Sequence, residues 1–228
     1  MDFKKISYRV TLFQTPQDPL SQDFIVQFFI PFAQLRYMPS VNKGTAVKVL
    51  PDGQFQVSEA WSADFKKDDN STKVTLTADR IDIINETNMS WDAFIKNAYE
   101  VMEVVSKFFN TYNRIAVGTT FDSQKNESLE KDLYDLLFKN EFNPNMVEWS
   151  SRVVERKTIT HDNSSIDINN VTTVTALNEP KIINIDFDFN TVVGSNVEFV
   201  QKLRNKFIEE AQHTIQAQIN AIIDAISK

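Results

Sequence analysis

The sequence predicts an α+β fold: antiparallel sheet, in one or more pieces, contributed by two pseudo-repeated halves, each half followed by a long amphipathic helix packed on the sheet. Three observations predict it. Runs of alternating apolar and polar residues recur along the chain and are joined by short turns. The strongest helical stripes come after those runs rather than between them. RIDIINE at 80–86 has a counterpart in NIDFDFN at 184–190, and each is followed by a polar gap and a helical run. Strands joined by tight turns pair antiparallel, whereas a doubly wound parallel sheet needs a crossover between successive strands. A repeated order of elements reads as a duplication. The chain lacks a Gly/Ser/Pro linker at its midpoint and holds only 4 glycines. The expectation is therefore a single domain over residues 1–228, with pseudo-repeats of approximately 1–121 and 122–228.

In the first half, Ile6, Tyr8, Val10 and Leu12 alternate with Ser7, Arg9 and Thr11, the period-two pattern of a strand with one buried face. FIVQFFIPF at 24–32 is apolar without clear period, and Pro31 cannot sit in an undisturbed helix interior. It reads as a buried strand or a short helix ending near Pro31. VKVLPDGQFQV reads as a hairpin, because proline presets one turn dihedral and Gly53 tolerates positive φ. A second hairpin pairs Val74 and Leu76 with Ile81 and Ile83 around residues 77–80. Ser90 is placed to cap a helix whose stripe runs Trp91, Phe94, Ile95, Ala98, Met102, Val105, Phe108, Phe109 and Tyr112. RIAVGTTF at 114–121 reads as a returning strand.

Leu129, Leu133, Leu136 and Leu137 then mark a shorter helix starting near Ser128. SRVVERKTIT and NVTTVTAL read as the arms of a longer hairpin across a polar loop at 161–165. In KIINIDFDFN, Ile183, Ile185, Phe187 and Phe189 alternate with Asn184, Asp186 and Asp188, giving one apolar and one acidic face. Ser195 and Glu198 have the spacing of a capping box. Beyond them a stripe of Phe199, Leu203, Phe207, Ala211, Ile215, Ile219, Ile222 and Ile226 spans about thirty residues, roughly 45 Å of helix.

Composition narrows the function classes. Hydrophobic residues at 42% and aromatics at 11% suit a folded core in a chain of 228 residues. A formal charge of -7 gives no basic footprint, so duplex nucleic acid is a disfavoured partner. Cysteine is absent, which removes disulfides, thiolate zinc sites and cysteine nucleophiles. No run is long and apolar enough for a signal peptide or a membrane span, so the expectation is a cytoplasmic protein without a membrane partner.

The block VTLTADRIDIINETNMSWDAFIKNAYEVMEVVSKFFNTYNRIAVGTTF, with the tail KIINIDFDFN and the helix bearing His213, resembles a family of uncharacterised, sporadically distributed bacterial proteins of about this length. The shared order is strand, turn, strand, an aromatic before a helix, and a closing Arg-Ile strand. The likeness departs at Gly118-Thr119-Thr120-Phe121. The resemblance implies an intracellular bacterial protein of mobile or defence-linked gene neighbourhoods, and it brings no catalytic residues.

Candidate chemistry is sparse. Glu155 and Lys157 form the acidic-x-Lys element of metal-dependent nucleases, in which the acid holds a divalent cation and the lysine positions water. The same spacing recurs at Asp2/Lys4, Asp64/Lys66 and Glu179/Lys181, and a nuclease needs a further acid from a neighbouring strand. Asp186 and Asp188 share one strand face, with Asp82 as the counterpart of Asp186. They are metal candidates, although a half-exposed strand alternates in this way without any metal. Two histidines, His161 and His213, are too few for a histidine-based centre. Glycine-rich phosphate loops and Gly-x-Ser-x-Gly are absent from the sequence.

The functional expectation is a non-enzymatic protein-binding or adaptor protein without a cofactor. Its partner would be another protein or a second copy, met through the late helix at Ile215, Ile219, Ile222 and Ile226. On that reading, deleting residues 216–228 removes association and leaves the fold standing. The alternatives are a metal-dependent nuclease or other hydrolase using Glu155 and Lys157, and a small-ligand sensor with a pocket between the repeats.

Overall fold

Each alternating run becomes a strand. The computed structural model describes residues 3–14, 20–49, 51–109, 112–138, 141–161, 164–192 and 201–227. In chain order the elements are β1 (Lys4–Phe13), α1 (Gln22–Val26), α2 (Phe29–Gln34), β2 (Tyr37–Val49), β3 (Phe55–Lys67), β4 (Lys73–Leu76), β5 (Arg80–Asn85), α3 (Trp91–Val105), β6 (Arg114–Gln124), α4 (Glu127–Leu137), β7 (Trp149–His161), β8 (Ser164–Leu177), β9 (Ile182–Thr191) and α5 (Gln201–Ile226). The protein is α+β, and β2–β3, β3–β4, β4–β5, β6–β9, β7–β8 and β8–β9 all pair antiparallel. The chain divides into two compact units. The first is built on Arg9–Ile115 and the second on Met1–Tyr8, Ala116–Ser195 and Phe199–Lys228. The division falls at Ile115, so β6 opens the second unit, whereas the sequence reading had it close the first repeat.

In the first unit the strand order is β2-β3-β4-β5, followed by residues 9–13 of β1. Proline 31 starts a helix here instead of ending one. It lies in the first turn of α2, where a backbone N–H has no intrahelical acceptor and its loss costs nothing. Helices α1 and α2 therefore lie between β1 and β2, where the sequence suggested a strand or a single short helix. They carry Ile25, Phe28 and Phe32 into the core. Phe32 stacks on Phe65 of β3 at 4.3 Å, Tyr37 meets Phe32 edge-on at 5.6 Å, and Phe28 lies 4.2 Å from Phe108. Each ring removed from water contributes about 1.5–3 kcal/mol before entropy is counted. Ser90 caps α3 as expected, accepting from the Ala93 amide, and Phe94, Ala98, Val101, Met102 and Val105 are buried. A polar stitch ties this helix to the β3–β4 turn: Lys67 Nζ donates to Asn97 Oδ1 at 2.6 Å, and Asn97 Nδ2 donates to Thr72 Oγ1 at 3.1 Å.

In the second unit the order is β6-β9-β8-β7, with residues 4–8 of β1 alongside β6. Ile183, Ile185, Phe187 and Phe189 are all buried, as their alternation requires. Phe207 of α5 lies 5.2 Å from Phe189, and Lys206 Nζ donates to the Thr160 carbonyl at 2.7 Å. Helix α4 begins with Asn126 as its cap, accepting from the Leu129 amide, two residues before the start suggested by Ser128. The proposed Ser195/Glu198 capping box and Phe199 lie outside the described residues. No helix among the described residues is long and apolar enough to cross a membrane.

Candidate functional site

Glu155 and Lys157 sit on β7, the last strand of its order, and both side chains are about half exposed, at 55% and 51%. Their charged atoms are 3.7 Å apart, and Glu155 Oε2 also accepts from Asn170 Nδ2 at 3.3 Å across the β7–β8 rung. The described contacts of Glu155 bring no further acid beside it. Among the described residues, no group of three or more His, Asp or Glu side chains is placed to hold a metal ion. An exposed pair of this kind contributes at most about 1 kcal/mol to stability.

The strand carboxylates are occupied by neighbours. Thr11 Oγ1 donates to Asp82 Oδ1 at 2.7 Å, while Arg80 Nε is 2.9 Å from the other oxygen. Thr120 Oγ1 donates to Asp186 Oδ1 at 2.8 Å. Asp188 accepts from Asn190 Nδ2 at 2.8 Å, and Asp122 accepts from Asn184 Nδ2 at 2.6 Å. These are cross-strand or same-strand ties on the polar sheet faces, each satisfying a carboxylate that burial would otherwise penalise. His213 lies exposed on α5.

The stripe expected to bind a partner is largely spent inside the chain. Ile215, Ile219 and Ile226 are 5%, 2% and 7% exposed, and Ile222 is half-buried. Helix α5 meets α4, β7 and β9 of its own unit. The apolar stripe at Ile215, Ile219 and Ile226 thus faces the core of its own unit.

An exposed apolar face is present on the β2–β3 hairpin. The two strands pair through every rung from Tyr37↔Lys67 to Val49↔Phe55, but β4 supports only Ala63–Lys66 of β3. The rungs from Asn42↔Ser62 to the tip therefore form a two-stranded arm with no third strand among the described residues, about 25 Å long at 3.3 Å per residue. Side chains of one face alternate along each strand, so Val47, Val49, Phe55 and Val57 share a face as two opposed pairs. They are 60%, 63%, 71% and 65% exposed. Behind them on the same face Lys43 Nζ and Glu59 Oε1 are paired at 2.5 Å, and Lys43 lies 5.4 Å over the Trp61 ring. The opposite face carries Asn42, Gly44, Gln56, Ser58, Ala60 and Ser62. The sequence disclosed the hairpin and its turn, where Gly53 has φ 80° and Asp52 accepts from the Gln54 amide. The exposure of the arm's apolar face went unread. The signal was the four-residue β4 squeezed between turns at 68–72 and 77–79, too short to cover thirteen-residue strands.

Two clefts have linings that mix polar and apolar groups. One of about 620 Å³ over the first unit's sheet is lined by Ser40, Asp64, Lys66, Lys73, Ile84 and Glu86. Within it Asp64 is tied to Thr75 at 2.6 Å and Lys73 at 3.1 Å. The other, about 450 Å³, is bordered by Lys4, Asp122, Gln124, Asn126 and Leu129.

Among the described residues, four titrating groups depart from their ordinary range: burial lowers Lys5, a bond to Asp135 raises Lys131, and Tyr37 and Asp69 shift in the first unit. Burial pushes the Tyr37 hydroxyl well up, with Glu100 and Asp69 adding to the rise against a lowering bond from Thr72. Hydrogen bonds from the Ser71 side chain and amide hold the Asp69 carboxyl down. Both lie near the β3–β4 turn, and neither faces a reactive partner. No protein-family model matches the chain, and no curated protein is significantly similar to it.

Proposed function

We propose that this chain is a protein-binding module without chemistry of its own, and that it binds through the apolar face of the β2–β3 arm. One observation carries the reading: Val47, Val49, Phe55 and Val57 form an exposed apolar surface on an arm that no third strand supports among the described residues. A patch of a few hundred Å² is about as large as a monomer tolerates, and patches of that size are commonly functional. An isolated two-stranded ribbon is marginal in water, so covering this face also steadies the arm. The test is co-purification from native lysate with the wild-type chain and with a Phe55→Lys/Val57→Lys variant. Proteins retained by the first and lost by the second support the reading. Identical sets from both, with both chains folded, overturn it.

The arm also stands out against the order of elements. The reading is that the units are copies of one β-α-β-β-β-α unit, in which β1, β3, β4, β5 and α3 answer to β6, β7, β8, β9 and α5, and β2 is an added strand in the first copy. Its support is a repeated cross-strand pattern. Asp82 is opposite Thr75 on one side and bonded by Thr11 on the other; Asp186 is opposite Thr173 and bonded by Thr120. On this view the arm is what the first copy gained.

A further inference from the structure

We infer that the occupant of the β2–β3 arm is a second copy of this chain, with two arms lying face to face and antiparallel. This rests on the reading that the arm is the binding surface, and it names the partner. Three properties of the face point to a copy of itself.

The first is charge. The chain carries a formal -7, so two copies repel over most of their surface. The arm face is locally neutral: its described charges, Lys43 and Glu59, are paired to each other, and Val47, Val49, Phe55 and Val57 carry none. Two like-charged molecules meet at least cost where neither presents net charge. A basic or acidic partner would find no unpaired countercharge on this face to recognise.

The second is symmetry. A twofold contact uses one patch twice, so the patch must complement itself. Opposed rungs of Val49/Phe55 and Val47/Val57 do so, because an antiparallel overlay sets the rung bearing the ring against the all-valine rung of the other arm. The third is area. Four side chains exposed by 60–71% offer roughly 400 Å² per copy, about half of the ~800 Å² per partner in a standard stable interface. The association is thus a reversible dimer that forms with rising concentration, not an obligate one.

Because the chain has no cysteine, a single introduced one reports its own neighbour without background. Sedimentation velocity over a wide concentration series should show the 26.2 kDa chain moving towards twice that mass. Val57→Cys should link to a covalent dimer through a short bis-maleimide, since the two residues 57 lie one rung apart in this overlay, while Ser58→Cys on the opposite face should not. Phe55→Lys should remain monomeric with an unchanged melting curve. A wild-type chain that stays monomeric throughout, or Val57→Cys that links no faster than Ser58→Cys, overturns the inference. If the chain is monomeric yet Phe55→Lys/Val57→Lys still loses its captured proteins, the second-copy inference falls and the binding surface stands. If neither association nor capture depends on the arm, both fall.

Discussion

Thr11 Oγ1 donates to Asp82 Oδ1 at 2.7 Å, joining β1 to a carboxylate that the sequence offered as a metal ligand. Thr11 is buried, and Arg80 takes the second carboxylate oxygen, so both lone-pair directions of Asp82 face protein donors. Removing the acid strands a buried hydroxyl, which costs about 1–3 kcal/mol, whereas Thr11→Val removes only the donor and costs about 1 kcal/mol. Urea unfolding should rank Asp82→Ala below Thr11→Val. Millimolar Mg²⁺ should leave the wild-type melting curve where it was. A metal-dependent rise lost in Asp82→Asn would restore the ligand role.

The pair Lys125 and Glu130 is a sharper stability test. Their charges are 3.0 Å apart with both side chains about nine-tenths buried, and Trp149 Nε1 donates to the same Glu130 oxygen at 3.1 Å. Glu130→Ala leaves an uncompensated buried lysine and should cost about 3–5 kcal/mol. The loss of the indole bond should also shift Trp149 fluorescence. The double variant Lys125→Met/Glu130→Leu should recover most of that stability, because replacing a buried ion pair with apolar groups of similar volume is often neutral.

Alkaline stability should run through Tyr37. Its folded pKa is raised above the ordinary 10.0, chiefly by burial, so the folded state favours the neutral phenol. That contribution is complete below the ordinary value and is lost as pH rises through the higher folded one. Tyr37→Phe should flatten the fall in stability above about pH 10. Asp69 has the opposite sign: its folded pKa is depressed, so its contribution is present above the ordinary carboxylate range and fades as pH falls through the lower value. Ser71→Ala should flatten the fall in stability on the acid side, by a small amount because Asp69 is exposed.

Two phenylalanines of β3 should behave as different residues. Phe65 is fully buried and stacked on Phe32, so Phe65→Ala should cost about 3–5 kcal/mol. Phe55, at 71% exposure on the same strand, should tolerate substitution within about 0.5 kcal/mol in the dilute monomer. Equal losses at both positions would mean the arm is packed in solution.

Helix α5 supplies the last comparison. Ile219→Ala should destabilise by about 2–5 kcal/mol, as a buried isoleucine does. Deleting residues 216–228 should unfold the second unit, which reverses the outcome expected from the stripe alone.

Local pattern was legible wherever the chain speaks through its own period. Pro51 and Gly53 marked a turn, Ile183 to Phe189 gave the buried and wet faces of β9, and Ser90 fixed the start of α3. What sequence could not supply was the identity of neighbours. Ile215 and Ile219 have the same spacing whether they face a sheet or a partner, and only the presence of β7, β9 and α4 decides. Val57 and Phe187 alternate alike, yet one strand has a helix over it and the other reaches beyond its last neighbour. Proline 31 was misread because its position within a helix, not its presence, sets its cost.

The membership of residues 4–8 orders events on the ribosome. They emerge before Arg9–Ile115, but they belong with Ala116–Ser195 and Phe199–Lys228, which emerge after it. Arg9–Ile115 can therefore mature during translation, while the leading strand waits without its neighbour β6 until more than half of the chain has been made. The closing step spans a large sequence separation and is correspondingly slow. A bulky fusion ahead of Lys4 should hinder that late step and leave the earlier-maturing unit intact.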